Sequence, residues 1–315
     1  MDVPVKKIAC GPVSAEIALP DLEKGYYRGT RFDHLGVFTR IEGGDHVWVE
    51  PWFDGFDPLR HDHVCGPVDE FTPVGLEDPG DTFVKIGVGR LRKKEEPYDR
   101  FLLYEREDAG EVGLESAPDS LFFCHSLDPA EDGLGYVLGK RISLLPPAAD
   151  DAACAAVLEL KYALKNTGAR DLDTDWYNHN FFTLDHQEVG PDTEIRLPWT
   201  PEGHWRDPYS CIEILENGFR FTDVVASEGR SVYMGDLHPA GGAAVTGWTP
   251  SEEARYGFRI TNRKTGCGVE AEGTGKMDFA VFWSCPRVSC LEPYVHLHAA
   301  PGACVRWKMT YRLMK

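Results

Sequence analysis

Two stretches of the chain carry residues that could move protons. The first is Trp176-Tyr177-Asn178-His179-Asn180-Phe181-Phe182-Thr183-Leu184-Asp185-His186, which sets polar groups among large aromatics. On a strand the side chains alternate, so Tyr177, His179 and Phe181 share one face while Asn178, Asn180 and Phe182 share the other. His179 would then point into an aromatic-walled cleft. An imidazole there can give or take a proton near neutrality, because its ordinary pKa is about 6.5. The same residues would also suit a satisfied polar cluster in a β core. The second stretch is Ser289-Cys290-Leu291-Glu292-Pro293-Tyr294-Val295-His296-Leu297-His298. Glu292 sits between apolar residues, and burial raises a carboxyl pKa, which makes a better base at neutral pH. A salt bridge to Arg306 or Arg287 is the alternative.

Other candidates could hold a ligand in place. Lys85 and Arg90 lie in the basic run from Lys85 to Lys94, whose Gly87-Val88-Gly89 lacks the third glycine and following helix of a dinucleotide site. Gly135 and Gly139 near Lys140 fail for the same reason. On a strand, Lys85 would share a face with Gly87 and Gly89, leaving room for a ligand. The segment Tyr26 to Phe38 reads as a hairpin bending at Gly29 and Gly36, from which Arg31 could reach a ligand hydroxyl. From Asp54 to Pro79 the chain reads as a long loop, and long loops in compact domains are often functional. His61 and His63 within it have the spacing of metal ligands on one strand face, but no third ligand is evident, so a solvated loop is preferred. Tyr233 to Pro239 reads as a loop that offers Asp236 and His238.

Stepping outward, the elements that must carry these residues are strands. Val47–Val49, Phe83–Ile86, Phe101–Tyr104, Ala156–Leu164, Arg220–Thr222, Gly257–Thr261, Phe279–Trp283 and Val305–Leu313 have β-type composition, with Gly, Pro, Asp and Asn between them. Amphipathic helices are scarce; Asp151 to Leu160 could hold a helical turn but leads into strand-like alternation. Such a chain is expected to be all-β, a sandwich or barrel, and residues 1–315 show no linker that would divide it. The net charge of -18 excludes nucleic acid and anionic membranes as natural partners, since both reward Lys and Arg. A neutral sugar is indifferent to that field. No signal peptide or membrane span is evident, which points to a cytoplasmic protein. The nine cysteines include no C-x-x-C pair, and Cys285 and Cys290 lack companions at zinc-site spacing. They read as free thiols, with no metal expected.

With His179 and Glu292 in hand, the sequence resembles the aldose 1-epimerases of the galactose mutarotase-like superfamily. Three stretches carry the likeness: NHNFFTL at 178–184, CLEPYVHL at 290–297 and APGACVRWKMTYRL at 300–313. The resemblance implies a galactose mutarotase-like β-supersandwich, a small-molecule carbohydrate as substrate, a monomer or homodimer, and no metal or organic cofactor. It also implies that Glu292 takes the proton of the anomeric hydroxyl while His179 protonates the ring oxygen. Family members commonly carry a second histidine upstream; here Lys85 stands in the corresponding region, with His125 a rival. Asp236 is placed as the sugar-binding aspartate by its position between the catalytic pair, and Arg31, Asn178 and Arg90 complete the expected binding set. A lysine at the second histidine's place would suit an acidic or phosphorylated sugar. The alternatives are a carbohydrate-binding protein without turnover and an isomerase or lyase of acidic sugars.

Overall fold

The computed structural model describes residues 3–205, 211–225, 232–239 and 255–315. Among these there is no α-helix, and the strands form antiparallel sheets of ten, six, four and three strands. Alternation builds the sandwich. Along Cys154–Asn166 the residues Ala156, Leu158, Leu160, Tyr162 and Leu164 turn inward, and Trp307, Met309, Tyr311 and Leu313 do so along the neighbouring strand Cys304–Met314. They meet Leu172, Trp176, Leu291, Val295 and Leu297 from the six-stranded sheet in one core. Burial of this alternating set is the main favourable term for such a fold.

The six-stranded sheet matters most here. Its strand Leu172–His179 lies between Val288–Ala299 and Val68–Phe71, with Trp176 opposite both Val295 and Phe71. One face of this sheet packs on the core. The other carries Tyr177, His179, Glu292 and Tyr294, and forms the floor of a cleft. The expected alternation around His179 is therefore present, and it continues past the end of the strand. Tyr311 donates its hydroxyl toward Asn178 Oδ1 and Asn180 Oδ1, at 3.1 and 2.9 Å, inside the sandwich.

Four local readings change. Phe101 to Tyr104 is a turn, because Asp99 accepts bonds from Phe101 N and Leu102 N and so outcompetes the β-propensity of the run. Residues 26–36 form no hairpin; the Tyr27 hydroxyl accepts hydrogen bonds from Arg31 N and Phe32 N and folds the segment over itself. The stretch 54–79 is loop except for Val68–Phe71 and a bridge at Val74. Tyr233 to Pro239 belongs to the strand Val232–Pro239, interrupted between Met234 and Leu237 by a bulge in which Asp236 takes a φ of 48°.

Gly66 shows how closely the floor is fitted. A Cβ there would lie 2.4 Å from the His179 carbonyl oxygen and 2.6 Å from Phe181 N, both backbone atoms. Gly66→Ala is therefore expected to destabilise the protein by about 1–3 kcal/mol, the scale of overpacking, and to disturb His179. Thermal unfolding of the variant checks this; an unchanged melting temperature would contradict it.

Candidate active site

The cleft has a volume of about 1020 Å³, ample for a small polar ligand. His179 and Glu292 lie at its floor, 5% and 4% exposed. They sit on different strands, and Nε2 of His179 is 3.2 Å from Oε1 of Glu292. The imidazole stacks on Phe181 at 3.7 Å between centroids and meets the edges of Phe32 and Trp283 at 5.8 Å each. This apolar packing fixes the ring and strips its water. Burial, aided by the Arg31 and Arg100 charges, holds the His179 pKa well below its ordinary value. Burial likewise pushes Glu292 up to about 8, against the pull of the same two arginines. The resting contact is thus a protonated carboxyl against a neutral imidazole rather than an ion pair.

Beside this pair lies a network organised by Glu70. Arg31 donates from Nε to Glu70 at 2.8 Å, Lys85 Nζ is 3.3 Å from its other oxygen, and Arg100 stands 3.6 Å away. The Tyr177 hydroxyl also donates to Glu70. Arg31 and Arg100 each donate to Tyr177 at 3.1 Å, and Arg100 reaches the Tyr294 hydroxyl at 3.3 Å. Burial alone would raise the Glu70 pKa, but Lys85, Arg31 and Arg100 outweigh it and hold the carboxylate near about 2. Tyr294 and Phe279 stack at 4.5 Å on the cleft side, with the buried Tyr177 behind Tyr294 at 4.2 Å.

Comparison with known proteins adds the fold. No protein-family model matches the chain, and no curated protein matches it. Solved structures do. A galactose mutarotase-like protein from Clostridium acetobutylicum aligns over 100% of this chain and 99% of its own, with a TM-score of 0.58 and 12% identity. An aldose epimerase homologue from C. elegans covers 99% and 98% at TM-score 0.56 and 11% identity. A galactose mutarotase related enzyme from Lactobacillus acidophilus covers 99% and 100% at TM-score 0.52 and 12% identity. The chain has the galactose mutarotase-like fold.

On this mutarotase-like scaffold the expected site residues divide into two groups. His179, Glu292, Arg31 and Asp236 all line the cleft. Asn178, Lys85, Arg90 and His125 do not. Asn178 falls on the inner face by strand alternation and donates to the buried Asp69 and, at 3.3 Å, to Tyr162. Lys85 is fully buried behind Arg31, donating to its carbonyl at 2.5 Å, and Gly87 beside it packs against Asp33 instead of leaving space. Arg90 binds Asp132 and the Leu134 carbonyl. His125 lies on the ten-stranded sheet, its ring nitrogens 2.8 Å from the Ala109 carbonyl and 3.1 Å from the Tyr136 hydroxyl. The proposed partners of Glu292 are elsewhere too; Arg287 pairs with Asp54 at 3.0 Å.

Several cleft groups escaped the sequence reading: Arg100 and Asp99 from a loop, Tyr294 from the Glu292 strand, and Glu70 beneath them. His61 lines the cleft, whereas His63 is buried against Phe53 at 4.6 Å. Among the described residues, three groups bring possible metal-ligand atoms within 4.8 Å of one another: His46, Asp185 and Cys267; Asp171, Asp173 and His298; and His179, Cys290 and Glu292.

Removing Glu70 would leave Arg31 and Lys85 buried without their counter-charge. Glu70→Ala is expected to cost about 3 kcal/mol or more, as for other buried pairs broken on one side. Denaturant unfolding measures it, and a loss below 1 kcal/mol would show that the network is not held by this carboxylate.

Proposed function

We propose that the protein is an aldose 1-epimerase type isomerase that interconverts the α and β anomers of a sugar. The observation that carries this reading is the His179–Glu292 pair, buried and 3.2 Å apart at the floor of an aromatic cleft. A hemiacetal carries its hydroxyl and its ring oxygen on one carbon. Two proton-exchanging groups this close can address both oxygens at once. The resting proton on Glu292 need only cross to His179 to give a carboxylate base and an imidazolium acid. Glu292 then takes the anomeric hydroxyl proton while His179 protonates the ring oxygen, and the C1–O bond to the ring breaks. Rotation about C1–C2 and reversal of both transfers close the other anomer. Tyr294 and Phe279, stacked at the cleft wall, offer a surface for the apolar face of a sugar, and Arg31 and Asp236, which also line the cleft, would bind hydroxyls. No step calls on a metal or organic cofactor.

A second reading concerns the substrate's charge. Arg31 and Arg100 both reach the cleft, which supports an aldose bearing a carboxylate or phosphate.

Polarimetry or proton NMR with single anomers of neutral aldoses, uronates and sugar 6-phosphates tests both readings. His179→Ala and Glu292→Gln should each lower turnover by about 100-fold or more, the scale of losing a general acid or base. Equal rates in folded variants would defeat the mechanism.

The pH profile follows from the pair. Below about 8 Glu292 keeps its proton, and a second proton joins His179 only well below its ordinary 6.5. The one-proton form therefore spans neutrality. kcat/KM, corrected for spontaneous mutarotation, should be level from pH 6.5 to about 8 and fall above it. A rate that climbs through pH 8 would assign the chemistry to a pair without that proton.

A further inference from the structure

Cys290 has no part in this chemistry, yet it stands beside it. It lies two residues before Glu292 on the strand Val288–Ala299, so its side chain projects from the same face of the sheet. It is fully buried among Phe32, Phe181 and Val68. A ring nitrogen of His179, the Cys290 sulfur and a Glu292 oxygen all lie within 4.8 Å of one another. Three donors this close can share one partner, and Nε2 of His179 already faces Oε1 of Glu292 at 3.2 Å.

The donor set says which partner. One nitrogen, one sulfur and one carboxylate oxygen suit a borderline divalent ion such as zinc, which takes all three at about 2.0–2.3 Å. Magnesium and calcium demand oxygen shells and are poorly served. Three protein ligands with the remaining direction facing a cleft is also the pattern of an open zinc site rather than a closed structural one.

We propose that His179, Cys290 and Glu292 form a binding site for a zinc-class cation, and that its occupation switches the protein off. On binding, the Cys290 thiol proton and the Glu292 carboxyl proton leave to solvent, and the metal takes one lone pair from each ligand. The imidazole and carboxylate are then no longer free to exchange protons with a sugar. Metal and substrate thus compete for the same groups. The binding half stands on the geometry alone; the inhibitory half rests on the epimerase reading above.

The test uses the full-length protein, metal-free, titrated with Co2+ as a spectroscopic probe for zinc. One equivalent should produce a near-ultraviolet thiolate-to-cobalt band that Zn2+ abolishes and Mg2+ does not. Cys290→Ser should lose the band, while Cys304→Ser, which alters an exposed thiol, should keep it. Glu292→Gln, a near-isosteric change, should keep the thiol but weaken Co2+ binding at least 10-fold, which covers the case of a misfolded serine variant. No thiolate band in the wild type, or a band that survives in Cys290→Ser, would overturn the site. Zn2+ should also inhibit anomer exchange, with at least 10-fold more metal needed in Cys290→Ser; equal potency would overturn the inhibition. A cobalt band in a protein inert toward every sugar would sustain the metal site and defeat the epimerase reading.

Discussion

A carboxylate with 1% of its surface exposed stays ionised only if cations replace the water it has lost, and Glu70 does this by gathering Arg31, Lys85 and Arg100. The demand runs in both directions. Lys85, with no solvent, would shed its proton without Glu70; burial already brings it down to about 8. The residue before Glu70 repeats the arrangement on the opposite face. Asp69 points into the sandwich, where Lys140 approaches to 2.5 Å and Tyr162 and Trp176 donate at 2.9 Å. Two adjacent carboxylates on one short strand thus anchor the layer beneath the cleft and the layer within it.

The electrostatic character of the floor follows. Arg31 and Arg100 are close enough to disfavour an imidazolium at His179 and to favour a carboxylate at Glu292, while burial works against charge on both. The outcome is a neutral pair in a charged neighbourhood. Passing one proton from Glu292 to His179 keeps the pair's net charge at zero while separating a carboxylate from an imidazolium. The packing of His179 against Phe181, Phe32 and Trp283 supplies orientation without adding a competing hydrogen bond.

The local pattern was readable from the chain because it depends on neighbours in sequence. Strand alternation placed His179 and Phe181 together, and the apolar flanks of Glu292 implied its burial. The long strands Cys154–Asn166 and Cys304–Met314 were equally legible. What escaped depends on contacts between distant segments. Glu70 and Tyr177 are 107 residues apart, and Arg100 and Tyr294 are 194 apart; nothing in either stretch alone announces the other. Lys85 drew notice as a cation near glycines, but the turn after it is filled by Asp33. The aromatic run Phe101 to Tyr104 has strand composition and a turn's hydrogen bonds, because one aspartate side chain next to it decides the backbone. Asp236 was expected on a loop and sits instead in a bulge within a strand, a feature set by register with a partner rather than by local composition.

The alternation along Leu172–His179 makes length a stricter constraint than identity. Thr174, Trp176 and Asn178 serve the interior, while Tyr177 and His179 project from the opposite face, where His179 lines the cleft. Exchanging one side chain disturbs one contact. Inserting or deleting a single residue would turn every later side chain to the other face, sending His179 toward the buried Asp69 and an asparagine into the cleft. The number of residues between Trp176 and His179 thus decides which side chain meets the core and which the cleft.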